Sequence, residues 1–146
     1  MRFITIILIL SSFLSLNAQW SSDSLSVARG RLGSAVVGDL LIFAGGIERF
    51  PSSISNVVDI YNFSDQKWST DTLSIGRNYM TISIHEDKAF FVGSSGASSH
   101  TKRQDIHDSS TGEWTQDEFP KAIYQKASAI LGDKLYVGGD EYIDIY

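Results

Sequence analysis

The sequence predicts an all-β protein built from repeated four-stranded units, and three observations carry that prediction. Tryptophan recurs at Trp20, Trp68 and Trp114, at separations of 48 and 46 residues. Each tryptophan is followed at constant spacing by an aspartate and a short apolar run that ends in glycine. Beyond the amino-terminal leader, no window of a dozen residues repeats its apolar positions at the 3.6 period of a helix. Self-similarity at a period of about 50 residues is the mark of stacked structural units, and it outranks local propensity.

The leader comes first. Met1-Arg2 is a short basic start, and residues 3–16 are almost wholly Ile, Leu, Phe, Ser and Thr, ahead of Leu16-Asn17-Ala18-Gln19. A spanning helix needs about 20 apolar residues, whereas a secretory core needs roughly 7 to 15 followed by a small residue. Residues 1–18 are therefore expected to be a signal peptide cleaved near Ala18, although Leu16 is large for that site and an uncleaved anchor is the alternative. Cleavage leaves residues 19–146 and removes only Arg2, so the net charge moves from −5 to −6. The expected location is secreted or in a cell envelope, periplasmic or extracellular.

Three units follow, over approximately residues 20–67, 68–113 and 114–146. The first strand of unit one lies near Ser34-Ala35-Val36-Val37 and turns at Gly38-Asp39 into Leu40–Ala44, which ends at Gly45-Gly46. A small or acidic residue beside aspartate is hairpin-turn composition. A third strand runs over Val57–Asn62, and a turn through residues 64–67 leads to a strand around Trp68. Unit two repeats this order with Glu86-Asp87, Lys88–Val92, Gly93-Ser94, Asp105-Ile106-His107, a turn at Thr111-Gly112-Glu113, and Trp114. Unit three has Gly132-Asp133, residues 134–137, Gly138-Gly139 and Asp144-Ile145-Tyr146. From Asp59 to Trp68 is nine residues, and from Asp105 to Trp114 is nine again. Only the interval between the glycines and the second aspartate varies, at thirteen, eleven and five residues, which marks a surface loop.

An apolar run, a glycine doublet, then Tyr61 or Tyr146 and a Trp at fixed separation, with Arg29 or Arg77 before the next strand, resemble the kelch repeat. The resemblance implies kelch-type β-propeller blades: three four-stranded units of an incomplete propeller. The pattern departs at Ser94, His107 and Ile123, where a second glycine, a tyrosine and an arginine are expected. Trp20, Trp68, Trp114, Tyr61, Tyr146, Gly45, Gly46, Gly93, Gly138 and Gly139 are then structural repeat positions. The glycines serve close backbone approach, and Trp with Tyr buries area between neighbouring sheets. Arg29 and Arg77 are expected to hydrogen-bond to carbonyls within or between blades.

Propellers close with four to eight blades, while unit three stops before its fourth strand and residues 20–25 form a fourth strand without its first three. Self-association through open blade edges is expected, residues 20–25 of one copy adding to Asp144-Ile145-Tyr146 of another. The alternative is a fragment of a longer propeller.

Composition and motifs narrow the function. Twelve Lys and Arg against 17 Asp and Glu argue against nucleic acid as a partner. The absence of cysteine removes disulfide frameworks, thiolate metal sites and cysteine nucleophiles. His85, His100 and His107 lack the paired spacing of a metal site, and there is no Gly-x-Ser-x-Gly, Walker loop or GxGxxG. No metal, cofactor or catalytic residue is assigned. The resemblance implies a protein- or glycan-binding module that works through loops on one propeller face. A carbohydrate-active enzyme of the sialic-acid epimerase type is the alternative; the copper-radical oxidase type is opposed, because its cysteine-linked cofactor needs a cysteine. The free loops 47–56 and 95–104 offer Arg49, Phe50, His100, Lys102 and Arg103 as ligand-binding candidates, a cationic cluster on an acidic chain.

Overall fold

The structure, a computed structural model, describes residues 20–93, 102–121, 127–139 and 141–146. The leader with Ala18 lies outside the described residues, as do Ser94, His100 and Ile123.

The described residues form fourteen strands and no α-helix. In chain order these are β1 (Arg29–Gly30), β2 (Gly33–Val37), β3 (Leu40–Ala44), β4 (Ile47–Arg49), β5 (Ser52–Ile54), β6 (Val57–Asn62) and β7 (Lys67–Thr72). They continue with β8 (Thr81–His85), β9 (Lys88–Val92), β10 (Arg103–Asp108), β11 (Trp114–Glu118), β12 (Ala127–Leu131), β13 (Lys134–Gly139) and β14 (Tyr142–Ile145). Antiparallel meanders follow: β2-β3-β6-β7, β8-β9-β10-β11 and β12-β13-β14. The two complete sheets share one register, with Asp59 opposite Thr70 and Asp105 opposite Gln116, so Trp68 falls opposite Tyr61 and Trp114 opposite His107. Each tryptophan strand therefore closes a sheet begun in the preceding unit, and the segment after it leads into the next.

Strand alternation builds two cores between three stacked sheets. Ala35, Val37, Ile42, Ala44, Val58 and Ile60 of the first sheet meet Ala89 and Phe91 of the second, with Leu73 completing the cluster. Phe90, Val92 and Ile106 point to the opposite face of the second sheet, where they meet Leu135 and Val137 of the third. Successive residues Phe90 and Phe91 thus serve different cores, as a period of two requires. The first strands lie together: β2 packs on β8, and β8 on β12. Ser128 Oγ on β12 lies 3.0 Å from Thr81 Oγ1 and 2.7 Å from Ser83 Oγ on β8.

The first free loop is more ordered than its sequence suggests. Within residues 47–56, β4 and β5 form a hairpin that turns at Phe50-Pro51, whose peptide bond is cis, and β1 pairs on its other side. The diversion begins at Gly45 and Gly46, with φ of +63° and +108°. A Cβ on Gly45 would stand 2.2 Å from the Arg77 carbonyl oxygen, and one on Gly46 would stand 2.6 Å from that of Gly30. Gly46 N–H donates to the Arg77 carbonyl, which fixes the crossing of the two units. Gly138 has no such crowding, since its nearest contact would be a side-chain carbon at 3.6 Å.

Candidate functional site

Two buried arginine clamps hold the linkers in place. The segment Leu25-Ser26-Val27-Ala28-Arg29 leads into the first sheet, and the Arg29 guanidinium donates to the carbonyls of Gly45 and Val27 at 2.8 and 3.1 Å and to Asp59 Oδ2 at 2.6 Å. Ser26 N–H donates to the other oxygen of Asp59 at 3.0 Å. Burial pushes the Asp59 carboxyl up, but the hydrogen bonds from Ser26 and Arg29 outweigh it and hold the group below its usual range. Leu73-Ser74-Ile75-Gly76-Arg77 repeats the device. Arg77 donates to the carbonyls of Arg103 and Phe91 at 2.8 and 3.2 Å and pairs with Asp105, which also accepts from Ser74 N–H and Oγ.

The third unit has the acceptor without its donors. Asp144 stands where Asp59 and Asp105 stand, yet Pro120 occupies the serine position and has no N–H, and Ile123 occupies the arginine position. Asp144 Oδ2 is buried with no hydrogen-bond partner among the described residues.

Beside the first clamp, a cleft of about 610 Å³ opens over the β1-β4-β5 sheet, lined by Arg31, Glu48, Arg49 and Ser52 with Arg29 at its wall. Arg29 is neutralised by Asp59, so Arg31 and Arg49 face one glutamate and the cleft is positive on an acidic chain. Both arginines are braced by rings, Arg31 at 5.0 Å over Tyr79 and Arg49 at 5.9 Å over Phe50. Phe50, 89% exposed at the hairpin tip, adds an apolar surface beside the charge. Two cations in one concave place, with an exposed ring next to Arg49 on the hairpin, suit a ligand that carries carboxylates on an apolar or sugar frame.

Of the residues singled out by sequence, Arg49 and Phe50 belong to this hairpin. Lys102 precedes β10 and Arg103 begins it, and both are already engaged, Lys102 Nζ donating to the Pro120 carbonyl at 3.1 Å and Arg103 Nε lying 3.0 Å from Glu118 Oε1. Arg31 was not among the sequence candidates. Its signal is the repeat itself, because Arg31 and Tyr79 each follow a clamp arginine by two residues and both have positive φ. Equivalent positions of consecutive units thus stack on each other.

Trp68 departs from the burial expected between sheets. It lies over Tyr61 and Phe43 on the face of the first sheet that no other sheet covers among the described residues, and it is 38% exposed. Its Nε1 donates to Asp23 Oδ2 at 2.7 Å, which brings the segment of residues 20–25 against that face.

No family model matches the chain, and no curated protein matches it.

Proposed function

We propose that this chain is an exported, kelch-type β-propeller module that binds an anionic partner, a protein segment or a glycan, in the cleft over the β1-β4-β5 sheet. The observation that carries the reading is the pair Arg31 and Arg49, ring-braced around one concavity beside the exposed Phe50. Three antiparallel sheets stacked face to face with their first strands together are the arrangement expected of propeller blades. Loops that diverge from a rigid β scaffold are where such folds place recognition.

The test is a binding screen with a sialylated oligosaccharide and a glutamate-rich peptide, followed by the double variant Arg31→Ala, Arg49→Ala. Binding should weaken at least about tenfold and fall with added salt. Stability should stay within about 0.5 kcal/mol, because both side chains are exposed. Unchanged affinity in the double variant would refute the cleft as the site.

A further inference from the structure

Two buried polar groups turn into the interface between the second and third sheets with no partner among the described residues. One is the Oδ2 atom of Asp144. Asp144 lies directly opposite Val137 on β13, and Val137 is in the core against the second sheet, so the carboxylate shares that face. The other is Gln104, 0% exposed, whose amide oxygen and nitrogen are both unpartnered. Gln104 lies opposite Val92, which belongs to the same core, so its amide enters the interface from the other side. The first sheet has Val58 at this position, a side chain that needs no partner.

The two intact clamps define what sits beside such a carboxylate. Asp59 lies opposite Phe43, and Asp105 lies opposite Phe91. Arg29 donates to Asp59 and to the carbonyls of Phe43 and Val57, both at 3.3 Å. Arg77 pairs with Asp105 and donates to the carbonyls of Phe91 and Arg103. Each guanidinium thus takes the carbonyl opposite the aspartate and the carbonyl two residues before it. In the third sheet these positions are Val137 and Tyr142, in the same register about Asp144. The acceptors are repeated, but the guanidinium is not, because Ile123 stands at its position in the linker. Both donors of each intact clamp come from the linker ahead of the sheet, so the deficit lies inside the chain. The one cation of residues 119–123, Lys121, has its Nζ 3.9 Å from the centroid of the Tyr142 ring.

We propose that the interface between the second and third sheets binds a guanidinium group supplied from outside the chain, with Asp144 and Gln104 as its acceptors. The group belongs to a free guanidino compound or to the arginine side chain of a partner. A carboxylate taken out of water is costly unless it is paired and hydrogen-bonded. Guanidinium is planar, always charged and carries five donors in a fixed fork, so one group serves a carboxylate, a carbonyl and the Gln104 amide oxygen together. An ammonium is a compact point charge with three donors and does not reproduce that fork.

The experiment uses the full chain with methylguanidinium as the probe. The melting temperature should rise saturably, by about 3 °C or more at about 10 mM, while ethylammonium at the same concentration leaves it in place. In heteronuclear NMR the Gln104 side-chain amide resonances should move with the same concentration dependence. Asp144→Asn and Gln104→Val should each weaken binding at least about tenfold. Ile123→Arg, which supplies the group within the chain, should abolish the response. A Gly-Arg-Gly peptide separates the two sources: if it binds, an arginine side chain fits the site, and if only methylguanidinium binds, the ligand is a free guanidino compound. No shift of either readout, an equal response to ethylammonium, or an unchanged response in Asp144→Asn would each overturn the proposal. The cleft beside Arg31 and Arg49 enters none of these measurements, so the two sites stand or fall separately.

Discussion

Arg29 Nη2 lies 2.6 Å from Asp59 Oδ2, 30 residues along the chain, with the two side chains only 0% and 3% exposed. A buried charge that loses its partner keeps its desolvation penalty, and removing one member of such a pair costs about 3–5 kcal/mol. Asp59→Ala should therefore lower unfolding stability by about that amount, measured by urea denaturation. The double variant Arg29→Met, Asp59→Leu should lose less than Asp59→Ala alone, because no isolated charge remains.

Acid should weaken the same clamp. Asp59 is held below its ordinary value in the fold, so its contribution is present above the unfolded value of about 3.9 and is lost as pH falls through the folded one. The difference in stability between the parent and Asp59→Asn should shrink below about pH 4.

Asp144 makes the opposite prediction from Asp59. One of its oxygens has no partner among the described residues, so Asp144→Ala should change stability by less than about 1 kcal/mol. Restoring the two missing donors with Pro120→Ser and Ile123→Arg should raise the melting temperature. The same variant should slow amide hydrogen exchange in β13 and β14, while leaving the exchange of β3 unchanged.

His107 gives the fold a second acid sensitivity. It is buried with its Nδ1 unpartnered among the described residues, and burial pushes its pKa down against the pull of Asp71 and Asp108. The neutral ring is the folded form, so its contribution is full above about pH 6.5, the unfolded value, and is lost as pH falls through the lower folded one. His107→Tyr, which installs the residue found at Tyr61 and Tyr146, should flatten the stability profile between about pH 7 and 5.

The glycine pair separates positions of identical sequence. Gly45→Ala adds a Cβ 2.2 Å from a backbone oxygen at φ +63°, and should cost more than about 2 kcal/mol by thermal unfolding. Gly138→Ala meets only a side-chain carbon at 3.6 Å and should stay within about 1 kcal/mol.

The sheet meanders were legible because tryptophan, aspartate and glycine recur in phase, and Val57–Asn62, expected as a strand, is β6 to the residue. The β4–β5 hairpin was not, since strands of three residues are too short for a period of two to register. Part of the cleft was legible: Arg49 stood out with its neighbour Phe50 in a variable loop, whereas Arg31 joins Arg49 only because Gly45 and Gly46 fold the hairpin back beside β1. The exposure of Trp68 was hidden for a different reason. Tyr61 and Phe43 lie beneath it, but what lies above depends on which sheet stacks on that face, and local sequence does not encode the order of sheets.

Both members of each clamp sit inside one tryptophan-to-tryptophan interval: Arg29 with Asp59, Arg77 with Asp105. A stretch of gene copied from one tryptophan codon to the next would carry a matched arginine and aspartate. It would also deliver its leading strand to the sheet before it and receive its own last strand from the copy after it. Such an insertion lengthens the array without orphaning a buried charge, so the number of units is free to drift by duplication. A cut between Arg and Asp would strand one of them, and the tryptophans are therefore the seams at which recombinants of this chain should be joined.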